Sequence, residues 1–253
     1  MAGMTLRIRM MASGEEVCAI SLAEIDMLIS ASDRSTSALE QYLQSLIDVP
    51  RFRQRLVCED CTVLEDAARF DTFEQLMLVS LPLAPNSAEQ ASELEQAARN
   101  NNARKVEEML HACQEPNGLG AVIPLIEAAD RGHQVCVRLL LDARADANAA
   151  RPDTGATPLV LAAYNGHLEV IHTLLEEGAD KDKATTVTGA TPLCLAARNG
   201  HLEVVRALLE EGAGKDTART DTGATPLFAA AETGHMEVCL LYTSDAADEH
   251  RDV

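Results

Sequence analysis

Cys58-Glu-Asp-Cys61 has the CxxC spacing of a redox centre or of half a zinc shell. A tetrahedral zinc site needs two further ligands, and neither a second pair nor a neighbouring His stands beside it. The seven cysteines are scattered and odd in number, which argues against a disulfide framework and for a reducing compartment, here the cytoplasm or nucleus. Asp153-Thr154-Gly155 and Asp221-Thr222-Gly223 could each present a catalytic carboxylate, but both triplets fall at the same point of an internal repeat. His133, His167, His201 and His235 all follow a Gly that closes a helix, where turn bonding is expected; His111 and His172 fall on helix surfaces. There is no Gly-rich phosphate loop with its Lys and no His-Glu-x-x-His. These residues therefore predict no catalytic site, no metal, no cofactor and no small-molecule substrate.

The elements that carry them repeat. Gly155-Ala-Thr-Pro-Leu159, Gly189-Ala-Thr-Pro-Leu193 and Gly223-Ala-Thr-Pro-Leu227 recur about 34 residues apart, each followed at fixed offset by Gly-His. A more degenerate copy precedes them, with Pro124 and Gly132-His133 in register but Ala121 and Ile123 in place of Gly and Thr. Ala97-Ala98 and Val106 to Leu110 are a fainter copy, with Asn101-Asn102 where Gly-His would stand. Within one unit, Thr157 caps a helix and Pro158 occupies its first turn. Leu159, Ala162 and Ala163 line that helix, and Gly166 ends it. Leu168 to Leu175 form a second, amphipathic helix with Val170, Ile171, Leu174 and Leu175 inward. Gly178 stops it, and Ala179-Asp180 opens an extended arm into the next unit. One such pair cannot bury its own apolar face, so neighbours must stack.

The units resemble ankyrin repeats: a weak capping unit at 88–118, units at about 121–153, 155–187 and 189–221, and a start at 223. The family's His after Thr-Pro-Leu is replaced by Val160, Cys194 and Phe228, which removes polar bonds between turns and leaves stacking intact. Gly214 replaces a commoner Asp and predicts a looser hairpin. The resemblance implies that protein partners bind a concave face made of hairpin tips and first helices. By position this face includes Arg131, Tyr164, Asn165, Arg198, Asn199 and Glu232. The tips from Lys181 through Lys183 to Val187, and from Lys215 through Arg219 to Asp221, add to it.

Residues Met4 to Leu83 are a different object. Leu6, Ile8 and Met10 alternate with polar residues, Ser13-Gly14 turns, and Val17 to Leu22 returns as a second strand. Ser35 to Ile47 predicts a helix with Leu39, Tyr42, Leu43 and Leu46 on its apolar face, stopped by Pro50. Arg55 to Cys58 and Gln75 to Leu81 read as later strands, and Glu24 to Ser32 as an insertion. Hairpin, helix, strand and strand resemble a ubiquitin-like β-grasp domain, most closely at Val49-Pro50 through Leu56-Val57, at Val63-Leu64-Glu65-Asp66, and at Leu76 to Leu81. The chain departs from that family in lacking a terminal Gly-Gly and any Lys before Lys105, so conjugation is not expected. The resemblance implies a receptor-binding patch on the sheet, where Val57 and Val79 fall at two of its positions, flanked by Arg53 and Arg55.

The expected fold class is thus an α+β N-terminal β-grasp domain followed by an all-α-dominated ankyrin-repeat solenoid. Its parts are residues 1–84, a linker and degenerate capping unit over 85–118, repeats over 119–238, and a tail over 239–253. The tail breaks the pattern, because Cys239-Leu-Leu-Tyr-Thr-Ser-Asp-Ala-Ala-Asp-Glu249 matches the translation of a transposase-type sequencing adapter. Native sequence is expected to end near Val238 and the natural protein to continue. Cys239 to Leu241 should extend a helix, Thr243 to Val253 should be irregular, and His250 carries no role. Acidic residues number 40 against 21 Lys plus Arg, for a formal charge of -19. Such a chain repels nucleic acid and anionic membranes and favours partners with a basic surface. No apolar run is long enough to span a membrane, and the first residues lack the apolar core of a signal peptide. The reading that follows is a protein-interaction scaffold or adaptor. Its alternative is the N-terminal targeting fragment of a larger kinase, ubiquitin ligase or channel.

Overall fold

The computed structural model describes residues 5–10, 16–21, 36–47, 49–58, 63–64, 75–81, 87–112, 114–118 and 123–248. The Ser13-Gly14 turn, the Glu24–Ser32 insertion, Cys61, Glu65-Asp66, linker residues 82–86, Ala121 and residues 249–253 lie outside them. The chain forms two compact units. One comprises Met1–Pro85 with Leu110–Gln114, the other Asn86–Met109 with Glu115–Val253.

In the first unit, alternating apolar residues make a four-stranded mixed sheet. Strands β1 (Thr5–Met10) and β2 (Glu16–Ser21) pair antiparallel, and helix α1 (Thr36–Ile47) follows. Strands β3 (Gln54–Val57) and β4 (Gln75–Ser80) complete the order β2-β1-β4-β3, with β1 and β4 parallel. Period-two alternation puts Leu6, Ile8, Leu56, Leu76 and Leu78 in one core with Leu39 and Leu43 of α1, while Arg7 and Arg9 face outward. The helix face differs from expectation at its end. Leu46 is exposed, and Ile47 packs on the core instead. With Leu39 and Leu43 inward, the helical period carries the buried stripe to 47 rather than 46.

The second unit is a series of helix pairs. They are α2 (Ala88–Arg99) with α3 (Ala103–His111), α4 (Pro124–Asp130) with α5 (Gln134–Asp142), and α6 (Pro158–Asn165) with α7 (Leu168–Glu176). Helices α8 (Pro192–Asn199) and α9 (Leu202–Glu210), then α10 (Pro226–Thr233) and α11 (Met236–Asp248), complete it. Local chemistry fixes each boundary. Ser87 and Gln90 form a reciprocal capping box on α2. The Thr157, Thr191 and Thr225 hydroxyls accept the amides of Val160, Cys194 and Phe228 at 3.3, 3.2 and 3.3 Å, each worth about 1 kcal/mol. Ile123 offers no such cap, yet α4 starts at its Pro like the others and falls one residue short only at its C-terminal end.

First helices lie against first helices and second against second. The alanine pairs 128–129, 162–163, 196–197 and 229–230 are buried where the first helices meet, and their small side chains make that row the tighter one. A solenoid curves toward its tighter row. Each buried Leu of the second helices, such as Leu140, Leu174 and Leu208, contributes roughly 2 kcal/mol from apolar burial. Thr173 is buried where Leu175 was expected, because its hydroxyl donates back to the Glu169 carbonyl at 2.9 Å and needs no water. Leu175 is only half-buried.

One further expectation is corrected. Helix α11 continues through Thr243 to Asp248 rather than turning irregular there. Leu240, Leu241 and the Ala246-Ala247 pair are good helix formers and no Gly or Pro interrupts them. The Gly214 arm also keeps its inter-repeat bond: the Gly214 amide donates to Asp182 Oδ1 at 2.8 Å, just as the Asp180 amide does to Asn148 Oδ1. What Gly214 lacks is the local clasp that Asp146 and Asp180 make to the amides two residues on.

Candidate protein-binding surface

Residues at the ends of the first helices form two columns with opposite duties. Asn165, Asn199 and Thr233 form the clamping column. Asn165 Nδ2 donates to the Asp130 carbonyl and carboxylate, both at 3.0 Å. Asn199 Nδ2 donates to the Tyr164 carbonyl at 2.6 Å, and Thr233 Oγ1 to the Arg198 carbonyl at 2.9 Å. The histidines reinforce the same seams, with His167 Nε2 on the Asp130 carbonyl at 3.2 Å and His201 Nε2 on the Tyr164 carbonyl at 2.9 Å. His133 reaches the Ala98 carbonyl through Nδ1 at 2.9 Å. These clamps satisfy carbonyls that every helix C-terminus leaves unpaired.

One residue earlier stands the displayed column: Tyr164, Arg198 and Glu232, all exposed, with Tyr164 at 48%. The Tyr164 and Arg198 carbonyls are held by the clamps while the side chains of all three face solvent. Val187, at the tip of the 185–190 hairpin, is 64% exposed. The hairpins are themselves cross-linked: the Thr186 amide donates to the Thr154 carbonyl at 2.9 Å and the Thr220 amide to the Thr188 carbonyl at 3.1 Å.

At one seam between pairs lies an ion-pair network. Glu127 accepts Arg99 Nε at 3.0 Å and an Arg151 guanidinium nitrogen at 2.7 Å, and Arg99 also meets Glu95 at 2.8 Å. Burial alone pushes the Glu127 carboxyl up, but the hydrogen bonds and charges of Arg99 and Arg151 outweigh it and hold it below the usual carboxylate range. A carboxyl lowered in the folded state stabilises above its unfolded pKa, about 4.3, and loses that contribution as pH falls through the folded value. Glu127→Gln should cost about 1–2 kcal/mol at neutral pH, after discounting the solvent-screened Arg99. The gap from the parent should close in urea titrations as pH falls below about 4. A gap of the same size at both pH values would contradict this.

A family model described as ankyrin repeats, in three copies, matches residues 94–185 and 181–250, more than half of the sequence. The chain belongs to the ankyrin-repeat family. No curated protein matches it. Ankyrin repeats are typically protein–protein interaction modules, and among the described residues no group of three or more His, Cys, Asp or Glu could hold a metal ion. Also among the described residues, no helix is long and apolar enough to cross a membrane. Burial pushes the Cys136 and Cys194 thiols up, which keeps them protonated and unreactive.

The ankyrin geometry sorts the residues singled out from sequence. Arg131, Tyr164, Arg198 and Glu232 are exposed at the ends of first helices. The Asn165 and Asn199 amides are committed to the clamps. Lys183 Nζ donates to the Asn148 carbonyl at 3.0 Å, and Lys181 beside it is half-buried. Arg219 grips Asp221 through two bonds, at 3.0 and 2.6 Å, and the first of these effects, its hydrogen bonding, holds the Asp221 carboxyl below the usual range. The triplet Asp221-Thr222-Gly223 is therefore a hairpin fitting. Val57 is 4% exposed, with Val63 bridging back against it, so Val57 and the half-buried Val79 do not make an exposed patch. Val187, at the end of the first predicted tip, is the exposed apolar residue there, and a Val in a Thr-rich turn has no part in the repeat pattern.

Proposed function

We propose that this chain is an interaction adaptor that holds a protein partner on the side of the stack where the first helices and hairpin tips lie. The observation that carries the reading is the exposed column Tyr164, Arg198 and Glu232, in which the Tyr164 and Arg198 backbones are clamped from the neighbouring repeat. A pre-ordered aromatic beside solvent-facing charges is the composition of an interface anchor: Tyr supplies contact area at low entropic cost, and the charges set specificity and encounter rate. The formal charge of -19 favours a partner with a basic surface over nucleic acid or an anionic membrane. Binding rather than catalysis, in the cytoplasm or nucleus, is the role this supports.

We further propose that the first unit is a ubiquitin-like β-grasp domain serving as a second recognition module. Its strand order, with the parallel β1/β4 pair at the centre and α1 on one face, supports this. The sequence from Cys239, which resembles translated adapter, supports reading the chain as the targeting part of a larger protein, with residues 1–84 and 119–238 as its native domains.

The test is affinity capture with the parent, Tyr164→Ala and Arg198→Ala, beside His172→Ala on the exposed side of α7 as a control. The first two variants should lose partner by about tenfold or more, the loss of a hot-spot contact, with unchanged melting temperatures. Equal loss in the His172 variant, or loss that tracks melting, would sink the reading.

A further inference from the structure

At the ends of the first helices, equivalent positions in successive repeats hold Asp130, Tyr164, Arg198 and Glu232. The Asp130 carboxylate takes Asn165 Nδ2 at 3.0 Å. Among the described residues, the side chains of the other three make no hydrogen bond or ion pair, and all three are exposed. The column therefore offers an aromatic, a cation and an anion in that order along the stack. Leu161 and Leu195, one turn earlier on the same helix faces, are half-buried and give it a partly apolar floor.

The charge at the centre of this side differs from that of the whole chain. Over residues 179–201, the cations Lys181, Lys183 and Arg198 outnumber the two Asp, whereas Glu169, Glu176, Glu203 and Glu210 stand exposed on α7 and α9. The acidity of these repeats lies on the second helices, where it acts on encounter at long range. A group seated at Arg198 meets a cation.

We propose that the partner segment held by this column is a polyproline II stretch with specific groups at every third position: an apolar residue on Tyr164, a carboxylate on Arg198 and a basic residue on Glu232. The proposal rests on the adaptor reading above and names the chemistry of its ligand. Neighbouring first helices pack side by side through buried alanines, with axes about 8–10 Å apart. A polyproline II helix has three residues per turn and rises about 3.1 Å per residue. One turn thus advances about 9 Å, one repeat of the stack, and its third residues share a face. A β-strand rises as fast but turns residues three apart to opposite faces. An α-helix needs about six or seven residues to cover the same distance. Prolines between the three reading positions keep the segment ordered before binding, and an exposed Tyr is the surface on which such segments dock.

The probe is a proline-rich peptide with Leu, Glu and Lys at successive third positions, made in both chain directions and titrated with the full chain by fluorescence anisotropy. In its better direction it should bind about tenfold tighter than the isomer with Glu and Lys exchanged. Arg198→Glu should weaken it by a similar factor and improve binding of the peptide whose central residue is Lys. The Arg198 carbonyl, not its side chain, receives the Thr233 clamp, so this variant keeps the seam. Absence of binding, equal affinity for the two isomers, or an Arg198→Glu loss indifferent to the central charge overturns the proposal. So does tighter binding of an α-helical peptide with the same three residues spaced about seven apart. If Tyr164→Ala and Arg198→Ala lose captured partner while the peptides show no such order, this proposal fails and the adaptor reading stands. If neither variant loses partner, both fail.

Discussion

Gly166→Ala is expected to lower the unfolding free energy by about 2–3 kcal/mol, far more than a methyl group on an exposed turn usually costs. Gly166 closes α6 at φ 78°, a left-handed conformation in which a Cβ costs about 1 kcal/mol. The new Cβ would also stand 2.6 Å from the His201 ring, which must then move off the Tyr164 carbonyl and forfeit a bond worth about 1 kcal/mol. Gly234→Ala is the internal control: φ is 81° but its Cβ meets no atom of the described residues within 4 Å, so only the backbone strain remains. Chemical denaturation of both variants gives the comparison. Replacing His201 with Ala in the Gly166→Ala background should recover part of the loss, and equal costs at the two glycines would refute the seam contact.

Leu174→Ala should cost about 2–5 kcal/mol. The side chain is wholly buried in α7, where the second helices pack against one another, and its removal leaves a cavity between units that are already held in register by the clamps on the other row. Leu46→Ala, on the exposed side of α1, should by contrast change stability by less than about 0.5 kcal/mol. Near-unchanged stability for Leu174→Ala in urea would contradict the assigned register.

The repeat grammar made the second unit legible because its signals are local and redundant. Thr157 caps, Pro158 starts, Gly166 stops, and the same residues return in the next unit. The direction of side chains at the seams was not legible, because it depends on a neighbour about 34 residues away. Tyr164 and Asn165 are adjacent in sequence and look equally available. Only the Asn165 bonds to Asp130 show that one is a clamp and the other a display residue. The histidines could be set aside as turn residues, but their seats on glycines of the preceding unit needed three dimensions. In the first unit, alternation gave the strand core, while the burial of Val57 is not visible in the alternation, which places it on the face opposite Leu56. Helix α11 outran the expected break because helix propensity is indifferent to whether a sequence follows the repeat.

In the proposed adaptor, the displayed column and the hairpin tips form the binding face. Hydrogen exchange of the full chain, with and without a partner captured as above, tests it most directly. Protection gained over 161–165, 185–190 and 195–199, with α7 and α9 unchanged, is the predicted result. Protection confined to the second helices or to the N-terminal sheet, with the first helices and tips exchanging as before, would contradict it.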